Sequence, residues 1–112
     1  MDRQDKDIYS AQARIIKALA HPARLLMVNR LAKGPKCVCE IRDWVGSDMS
    51  TVSKHLSVLR NAGIVADEKR GMKVYYRLRC PCVNQFLRCA EKVMKTTADD
   101  HVRLAGKRGK KA

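Results

Sequence analysis

The residues of this sequence with the most distinctive chemistry are its five cysteines. Cys37 and Cys39 form a Cys-x-Cys pair, and Cys80, Cys82 and Cys89 form a second group further along the chain. Thiolates are the softest ligands that protein side chains offer, and they prefer soft cations and trivalent metalloids. An odd number of cysteines in a reducing compartment favours ligand or redox thiols over a disulfide framework.

The spacing of Cys37 and Cys39 limits how both can bind one ion. Side chains two residues apart on a regular helix point roughly 200° away from each other. Chelation by both sulfurs therefore needs an unwound or distorted helix start, and Gly34-Pro35 just upstream favours one. We expect this pair to lie where a helix begins.

A third sulfur ligand is expected from the second group of cysteines. We favour Cys82 and keep Cys89 as the alternative, supplied by the same protomer or across a dimer. Cys89 falls on an apolar helical stripe, where a cysteine usually behaves as a small buried hydrophobe. Cys80 is expected to be a free, partly exposed thiol at the end of a hairpin.

The charge of the chain indicates what it binds. It carries 24 Lys and Arg against 11 Asp and Glu, a formal net charge of +13, and we expect nucleic acid rather than an anionic membrane as the partner. No apolar run approaches the length of a membrane span, and the N-terminal sequence is unlike a signal or transit peptide, so we expect a cytoplasmic protein. A single domain of 112 residues buries a marginal core, which favours a dimer.

Hydrophobic periodicity predicts four helices before the first extended segment. The first three span residues 7–20, 22–31 and 37–45. The fourth is capped by Asp48 or Ser50 and ends near residues 61–63. The third and fourth helices, joined by a tight turn at Gly46, have the form of a helix-turn-helix.

A basic β-hairpin and a last helix follow. Residues 64–66 start an extended segment, residues 69–72 supply a turn, and residues 73–79 alternate apolar with polar or basic side chains. Pro81 then allows a final helix, and its broad apolar stripe consists of Val83, Phe86, Leu87, Ala90, Val93 and Met94. We assign this stripe and the first helix to a dimer interface, with packing inside one chain as the alternative.

The predicted fold class is mainly α with a β-hairpin wing. It is a winged helix-turn-helix with the element order α-α-α-α-β-β-α, and it forms a homodimer. Residues 1–98 make up the DNA-binding and dimerisation domain. Residues 99–112 are expected to be a basic, disordered tail.

Two sets of side chains are candidates for contacts with DNA. Short donors and acceptors near the start of the fourth helix are expected to reach base edges in the major groove, and they are Ser50, Thr51, Ser53, Lys54 and His55. Phosphate contacts are expected from Arg60, Lys69, Arg70, Lys73 and Arg79. The alternative is that the hydroxyls only cap a helix and the basic residues form a solvated face. His21 is expected to be a structural hydrogen-bonding residue.

Four motifs follow one another along most of the chain. They are Leu19-Ala20-His21-Pro22-Ala23-Arg24, Cys37-Val38-Cys39-Glu40, Met49 to Leu56 with Leu59 to Val65, and the wing ending in Val74-Tyr75-Tyr76-Arg77-Leu78. In this order, over roughly residues 10–90, they resemble the ArsR/SmtB group of metal-responsive bacterial repressors.

The resemblance implies a dimeric winged-helix repressor that blocks its operator and releases it when an effector binds. It also implies that Cys37 and Cys39 occupy the position of the thiol pair used by the arsenite sensors of the family. The third cysteine of that pattern follows the pair by three residues, and this position is Arg42 here.

We therefore predict a repressor that leaves double-stranded operator DNA when thiolates bind arsenite or antimonite, As(III) or Sb(III). Cd(II), Pb(II) and Zn(II) are the alternative effectors, placed second because the pair lacks the histidine and carboxylate set that zinc-type sites often use. Oxidation or persulfidation of Cys37, Cys39 or Cys82 is the alternative signal, and Lys36 beside the pair favours it.

Two other classes of protein explain less of the sequence. A thiol enzyme or metal carrier is disfavoured because there is no Cys-x-x-Cys motif, no base and orienting group around a nucleophile, and no phosphate-cradling loop. We therefore predict that the chain is not an enzyme. A constitutive nucleoid-type protein accounts for the charge but leaves the clustered thiols unexplained.

Overall fold

The computed structural model describes the backbone of residues 1–111 and the side chains of residues 1–105. Its elements in chain order are α1 (Arg3–Leu19), α2 (Pro22–Leu31), β1 (Lys36–Cys37), α3 (Val38–Val45), α4 (Met49–Asn61), β2 (Val65–Arg70), β3 (Lys73–Leu78) and α5 (Cys82–Lys111). The predicted winged helix-turn-helix architecture is confirmed, and the structure adds the short strand β1. No helix in the described part of the chain combines the length and apolar character needed to cross a bilayer.

The core lies between α2, α3, α4 and the base of the hairpin. Helix α2 contacts α1, α3, α4, α5 and β3, and is therefore the central element of the molecule. The side chains that are fully or almost fully buried are Met27, Val28, Leu31, Ile41, Val52, Leu56, Leu59, Ile64 and Val65. Apolar burial on this scale dominates the free energy of folding, so the core holds the helix-turn-helix and the wing in one fixed arrangement.

The sheet has three antiparallel strands in the order β1-β3-β2. The hairpin pairs Val65 with Leu78 and Arg70 with Lys73, and Gly71 has the positive φ of 61° that its tight turn requires. Strand β1 pairs with the other edge of β3, placing Cys37 opposite Tyr75. Strand β1 was not predicted, because two residues are too few to show a periodic pattern.

The start of α4 follows one of the two predicted caps. The carboxylate of Asp48 accepts a hydrogen bond from the backbone N–H of Thr51 at 2.7 Å. Gly46, with a φ of 71°, ends α3 in the left-handed conformation, as the glycine turn predicted. These two residues set the angle between the helices of the helix-turn-helix.

Helices α1 and α5 are longer than predicted. Asp2 caps α1, which begins at Arg3 and not near residue 7. Helix α5 continues through residue 99 to Lys111, where a disordered tail was predicted. This segment is rich in Lys and Arg, which are good helix formers, and Arg103 pairs with Asp100 at 2.7 Å one turn apart. The division into two regions at residue 99 stays a prediction, and Ala112 lies outside the described residues.

Leu56 tests the core that positions the recognition helix. Its side chain is fully buried, so Leu56→Ala should lower the free energy of unfolding by about 2–5 kcal/mol. Urea denaturation followed by circular dichroism measures this change. Met72→Ala is the control because Met72 is 98% exposed in the wing turn, and it should change stability by less than about 0.5 kcal/mol. Equal losses in the two variants would contradict this description of the core.

Candidate nucleic-acid interface and thiol pair

Helix α4 has one buried and one exposed face. Val52, Leu56 and Leu59 are buried against the core. The exposed face carries four of the five predicted base-reading residues, Ser50, Thr51, Ser53 and Lys54. Buried and exposed residues alternate with helical periodicity, so these four side chains share a face that is free to enter a DNA groove. Their contacts with bases stay a prediction.

His55, the fifth predicted base-reading residue, is half-buried and faces α2 as well as the surface. Its ring packs on that of His21, with the ring centroids 4.3 Å apart. Burial, followed by electrostatic interactions with His21 and Arg24, lowers the pKa of His55 below its ordinary value of 6.5. The neutral imidazole is therefore favoured in the folded protein.

His21 has the structural role that the sequence predicted. It precedes Pro22 as the N-cap residue of α2, and its Nδ1 accepts a hydrogen bond from the backbone N–H of Ala23 at 3.0 Å. This bond satisfies a donor that the first turn of a helix leaves free. His21 therefore fixes the start of α2 and packs against the recognition helix.

The wing carries exposed cations at its tip. Lys69, Arg70 and Lys73 are exposed on β2 and β3. Arg70 is also held in place, because its guanidinium lies 3.2 Å from the Glu68 carboxylate and 4.8 Å from the centre of the Tyr75 ring. Lys69 and Lys73 take part in no ion pair found among the described residues.

Arg60 links α4 to the wing. Its guanidinium lies 3.1 Å from the carboxylate of Asp67 on β2. The Asp67 carboxylate neutralises part of the positive charge of Arg60, which leaves less of that charge for a DNA phosphate. The structure thus gives Arg60 a structural contact that sequence analysis did not foresee, while the predicted phosphate contacts of Arg60 and of the exposed Arg79 stay predictions.

Cys37 and Cys39, the thiol pair, lie where α3 begins. Cys37 is the N-cap residue, with an extended backbone of φ −67° and ψ 145°, and Cys39 is in the first helical turn. Their Sγ atoms are 2.7 Å apart, and the Cys37 sulfur also accepts a hydrogen bond from the Cys39 backbone N–H at 3.5 Å. Because only one member is helical, the separation expected on a regular helix does not apply. The predicted irregular helix start is thus present.

The two thiols have different acidities. The hydrogen bond from the Cys39 side chain lowers the pKa of Cys37, assisted by the Cys39 backbone N–H and by the charge of Lys73. The same side-chain hydrogen bond raises the pKa of Cys39, together with burial. Cys37 is therefore the first to ionise, although Cys39 is the exposed member of the pair.

Lys73 connects the thiol pair with the wing. Its charge acts on Cys37 because β1 places Cys37 beside β3, opposite Tyr75. From the sequence, Lys73 was expected only to contact DNA phosphates. The pairing of β1 is what brings it near the thiols, and no local pattern signals that pairing.

The second group of cysteines differs from the prediction. Cys80 and Cys82 are joined in a disulfide, so Cys80 is not the free thiol expected and Cys82 has no free thiolate in this form. Cys89 is exposed on α5 and is not a buried hydrophobe. Within the described residues of one chain, no group of three or more His, Cys, Asp or Glu side chains is placed to hold a metal ion.

Among the described residues of one chain, the three-sulfur site is absent for a topological reason. Cys37 lies opposite Tyr75, whereas Cys80 follows Leu78 at the end of β3. Three strand residues beyond Tyr75 advance the chain by roughly 10 Å. Strand β3 pairs with β1 beside the thiol pair, and its far end leads to the second group of cysteines. The two groups of sulfurs are therefore held apart.

Comparison with known proteins identifies the family. Residues 21–67 match the model described as bacterial regulatory protein, arsR family. The HTH-type transcriptional regulator Rv0081 of Mycobacterium tuberculosis is 33% identical over 100 residues, 88% of each chain. This chain belongs to the ArsR family. Because the family consists of transcriptional regulators, the prediction that the chain is not an enzyme is confirmed.

Solved structures of relatives share the fold. The crystal structure of Rv0081 matches with a TM-score of 0.76 and 34% identity, covering 85% of this chain and 96% of that one. A homodimeric winged helix-turn-helix DNA-binding domain from Mycobacterium bovis matches with a TM-score of 0.71 and 27% identity over 91% of both chains. The transcriptional repressor BigR from Xylella fastidiosa matches with a TM-score of 0.69 and 31% identity, over 83% of this chain and 96% of that one.

The contact of His55 with His21 predicts a pH-dependent stability. A lowered pKa means that the unfolded chain binds the proton more readily than the folded protein. The free energy of unfolding should therefore decrease as the pH falls from about 7.5 to about 5.5. His55→Gln should reduce this decrease in urea denaturation, whereas His101→Gln, an exposed site on α5, should keep it. An unchanged dependence of the free energy of unfolding on pH in His55→Gln would show that His55 is not the residue responsible.

Proposed function

We propose that this ArsR-family regulator is a homodimeric repressor that binds operator DNA and releases it when the thiol pair binds As(III) or Sb(III). The observation that carries the proposal is the 2.7 Å separation of the Cys37 and Cys39 sulfurs at the start of α3. Helix α3 directly precedes the recognition helix. A ligand held there therefore acts next to the DNA-reading element.

The proposed DNA interface combines the exposed face of α4 with the wing. The recognition helix supplies donors and acceptors to the major groove, and the wing cations contact phosphates. The net charge of +13 supports a polyanionic partner. Relatives named as repressors, BigR among them, support the direction of regulation. Since its partner is operator DNA and its thiols must be reduced, we place the protein in the cytoplasm.

The chemistry of the pair favours a trivalent metalloid. As(III) and Sb(III) form their strongest protein bonds with thiolates, and the lowered pKa of Cys37 favours its thiolate form. The exposed sulfur of Cys39 gives the ligand an entry point. The third coordination position is open to an outside ligand or to a thiol of the partner protomer. Cd(II), Pb(II) and Zn(II) are competing effectors, and adding each of them in place of arsenite in an operator-release assay distinguishes them.

Coupling to DNA follows two physical routes. Ile41 of α3 is fully buried and α3 packs on α4, so a shift of the α3 start is transmitted to the recognition helix. Lys73 lies on β3, the strand with which Cys37 pairs through β1, so a change of charge on the sulfurs acts on a cation expected to meet phosphate. Linkage then requires operator DNA to weaken effector binding by the same factor.

The proposed dimer uses the outer faces of α1 and α5. Ile8, Ile16, Phe86, Val93 and Met94 are between 47% and 69% exposed in the single chain. Exposed apolar side chains in such numbers on two helices are typical of an interaction surface. The homodimeric state of the Mycobacterium bovis relative supports a second copy of the chain as the partner.

A redox-responsive repressor of the same fold is the second candidate. Two observations favour it: the sulfurs of the thiol pair are in contact, and Cys80 and Cys82 are already joined. Oxidation by hydrogen peroxide removes two electrons and two protons from two thiols, forms one disulfide and yields two waters. Peroxide in place of arsenite is therefore a necessary arm of the functional test.

Substitution of the thiol pair tests the sensing function. Cys37→Ser and Cys39→Ser should each still bind operator DNA, but arsenite should release them at least about tenfold less effectively than the wild type, because a single thiolate cannot chelate. Fluorescence anisotropy of labelled operator measures the release. Lys95→Ala, an exposed α5 residue without a thiol, is the control and should respond as the wild type. Full release of both pair variants by arsenite would contradict the proposal, and release by peroxide alone would favour the redox candidate.

The DNA interface is tested through the salt dependence of binding. Lys69→Ala should weaken binding to specific and non-specific duplexes alike and reduce the log–log salt slope by about 1. Lys54→Ala should chiefly reduce the preference for the operator, because its position suits base edges. Lys95→Ala, an exposed α5 residue paired with Glu91, is the control. Identical salt slopes and preferences in all three variants would contradict the assigned interface.

A further inference from the structure

A second Cys-x-Cys pair connects the wing with α5. Cys80 and Cys82 flank Pro81 between the end of β3 and the first turn of α5, and both residues are exposed. Their sulfurs form a disulfide, with the Cα atoms 5.3 Å apart. The proposed sensing by Cys37 and Cys39 makes no use of this segment, which we name the Cys-Pro-Cys link.

Backbone hydrogen bonds hold the Cys-Pro-Cys link on both sides. Before it, the N–H of Arg79 donates to the carbonyl of Ile64 at 2.9 Å. Within and after it, the N–H of Val83 donates to the carbonyl of Cys80 at 3.2 Å, and the N–H of Asn84 donates to that of Pro81 at 3.1 Å. Pro81 further restricts the backbone through its fixed φ. The two cysteines thus stay close together independently of the bond between their sulfurs.

We propose that Cys80 and Cys82, once reduced, form a second dithiol site for a trivalent arsenical, separate from the thiol pair. The inference rests on the proposed function for the class of ligand and on the Cys-Pro-Cys link for the place. Two thiols bind one arsenical by losing both protons and forming two As–S bonds, while the oxygen of an R–As=O reagent leaves as water. The disulfide blocks this reaction because its sulfurs have neither protons to lose nor free thiolate character.

The position of the second site gives it a distinct consequence. Cys82 lines an open apolar groove of about 280 Å³ between α1 and α5, together with Ile15, Ile16 and Phe86. This groove belongs to the face that we propose for the second copy of the chain. An arsenical on Cys82 therefore enlarges and modifies the edge of the dimer face, whereas one on the thiol pair acts at the helix-turn-helix.

Phenylarsine oxide, which bridges two neighbouring thiols, provides the test on the full chain. The protein is first reduced with a phosphine, which takes up the oxygen of one water while the disulfide gains two protons and two electrons. The excess phosphine is then removed, and bound phenylarsenic is counted by intact-mass spectrometry. The reduced wild type should bind two per chain, and the unreduced protein at most one.

Serine variants assign each adduct to its pair. Cys80→Ser and Cys82→Ser should each bind one phenylarsenic per chain after reduction, as should Cys37→Ser. Cys89→Ser is the matched control and should bind two. Serine is nearly isosteric with cysteine and the link is exposed, so these variants should fold, and circular dichroism checks that they do.

The possible failures are distinguishable. One adduct in the reduced wild type, lost in Cys37→Ser and kept in Cys80→Ser, would overturn the second site and leave the proposed thiol pair intact. Two adducts that both survive Cys37→Ser would contradict the proposed function instead. Loss of an adduct in Cys89→Ser would show that Cys89 replaces one member of the link, which also overturns the inference.

Discussion

The antiparallel pairing of β1 with β3 is the interaction on which the functional part of this molecule depends. Only Lys36 and Cys37 take part, yet the pairing fixes the residue at which α3 can begin. Extended backbone at Cys37 followed by helix at Cys39 is what lets the two sulfurs meet. The same pairing places them beside the strand that carries Lys73. The thiols and a cation that we propose to contact DNA are thereby joined in one small sheet.

The distribution of burial explains why such a small chain can transmit a local change. Helix α2 and the buried faces of α3 and α4 form a close-packed core without buried charged or polar residues among those described. Close-packed interiors have low compressibility, so a displacement at one end of α3 is transmitted to the neighbouring elements as a rigid-body movement. Helices α1 and α5, in contrast, leave apolar side chains exposed, which suits a surface completed by a second chain.

The two Cys-x-Cys pairs illustrate how context changes the behaviour of one motif. Cys37 and Cys39 lie at a helix start, where backbone and side-chain hydrogen bonds and a nearby lysine favour one thiolate. Cys80 and Cys82 flank a proline at an exposed junction, where they are joined as a disulfide. Identical spacing therefore leads to a polarised thiol pair at one position and to a covalent link at the other.

Much of the architecture was predictable because it rests on local signals. Apolar periodicity, the Asp48 cap and the glycine at position 46 predicted the helix-turn-helix, and alternation predicted the hairpin. Helix extension beyond residue 99 was not predicted, because a strongly basic composition suggests disorder, whereas Lys and Arg are also good helix formers. The candidate site was predictable in part, since Cys37 and Cys39 are neighbours in sequence, whereas the expected third sulfur ligand belonged to distant elements.

The amino-acid order alone determined the residue types available for chemistry, the helical and strand periods, and the positive charge that suits DNA. Tertiary structure decided which of these residues meet. It paired Cys37 with Tyr75, turned His55 toward His21 and tied Arg60 to Asp67. It also separated the two cysteine groups along β3. The physical reason is that propensities and caps act over a few residues, whereas strand pairing and core packing join residues far apart in the chain.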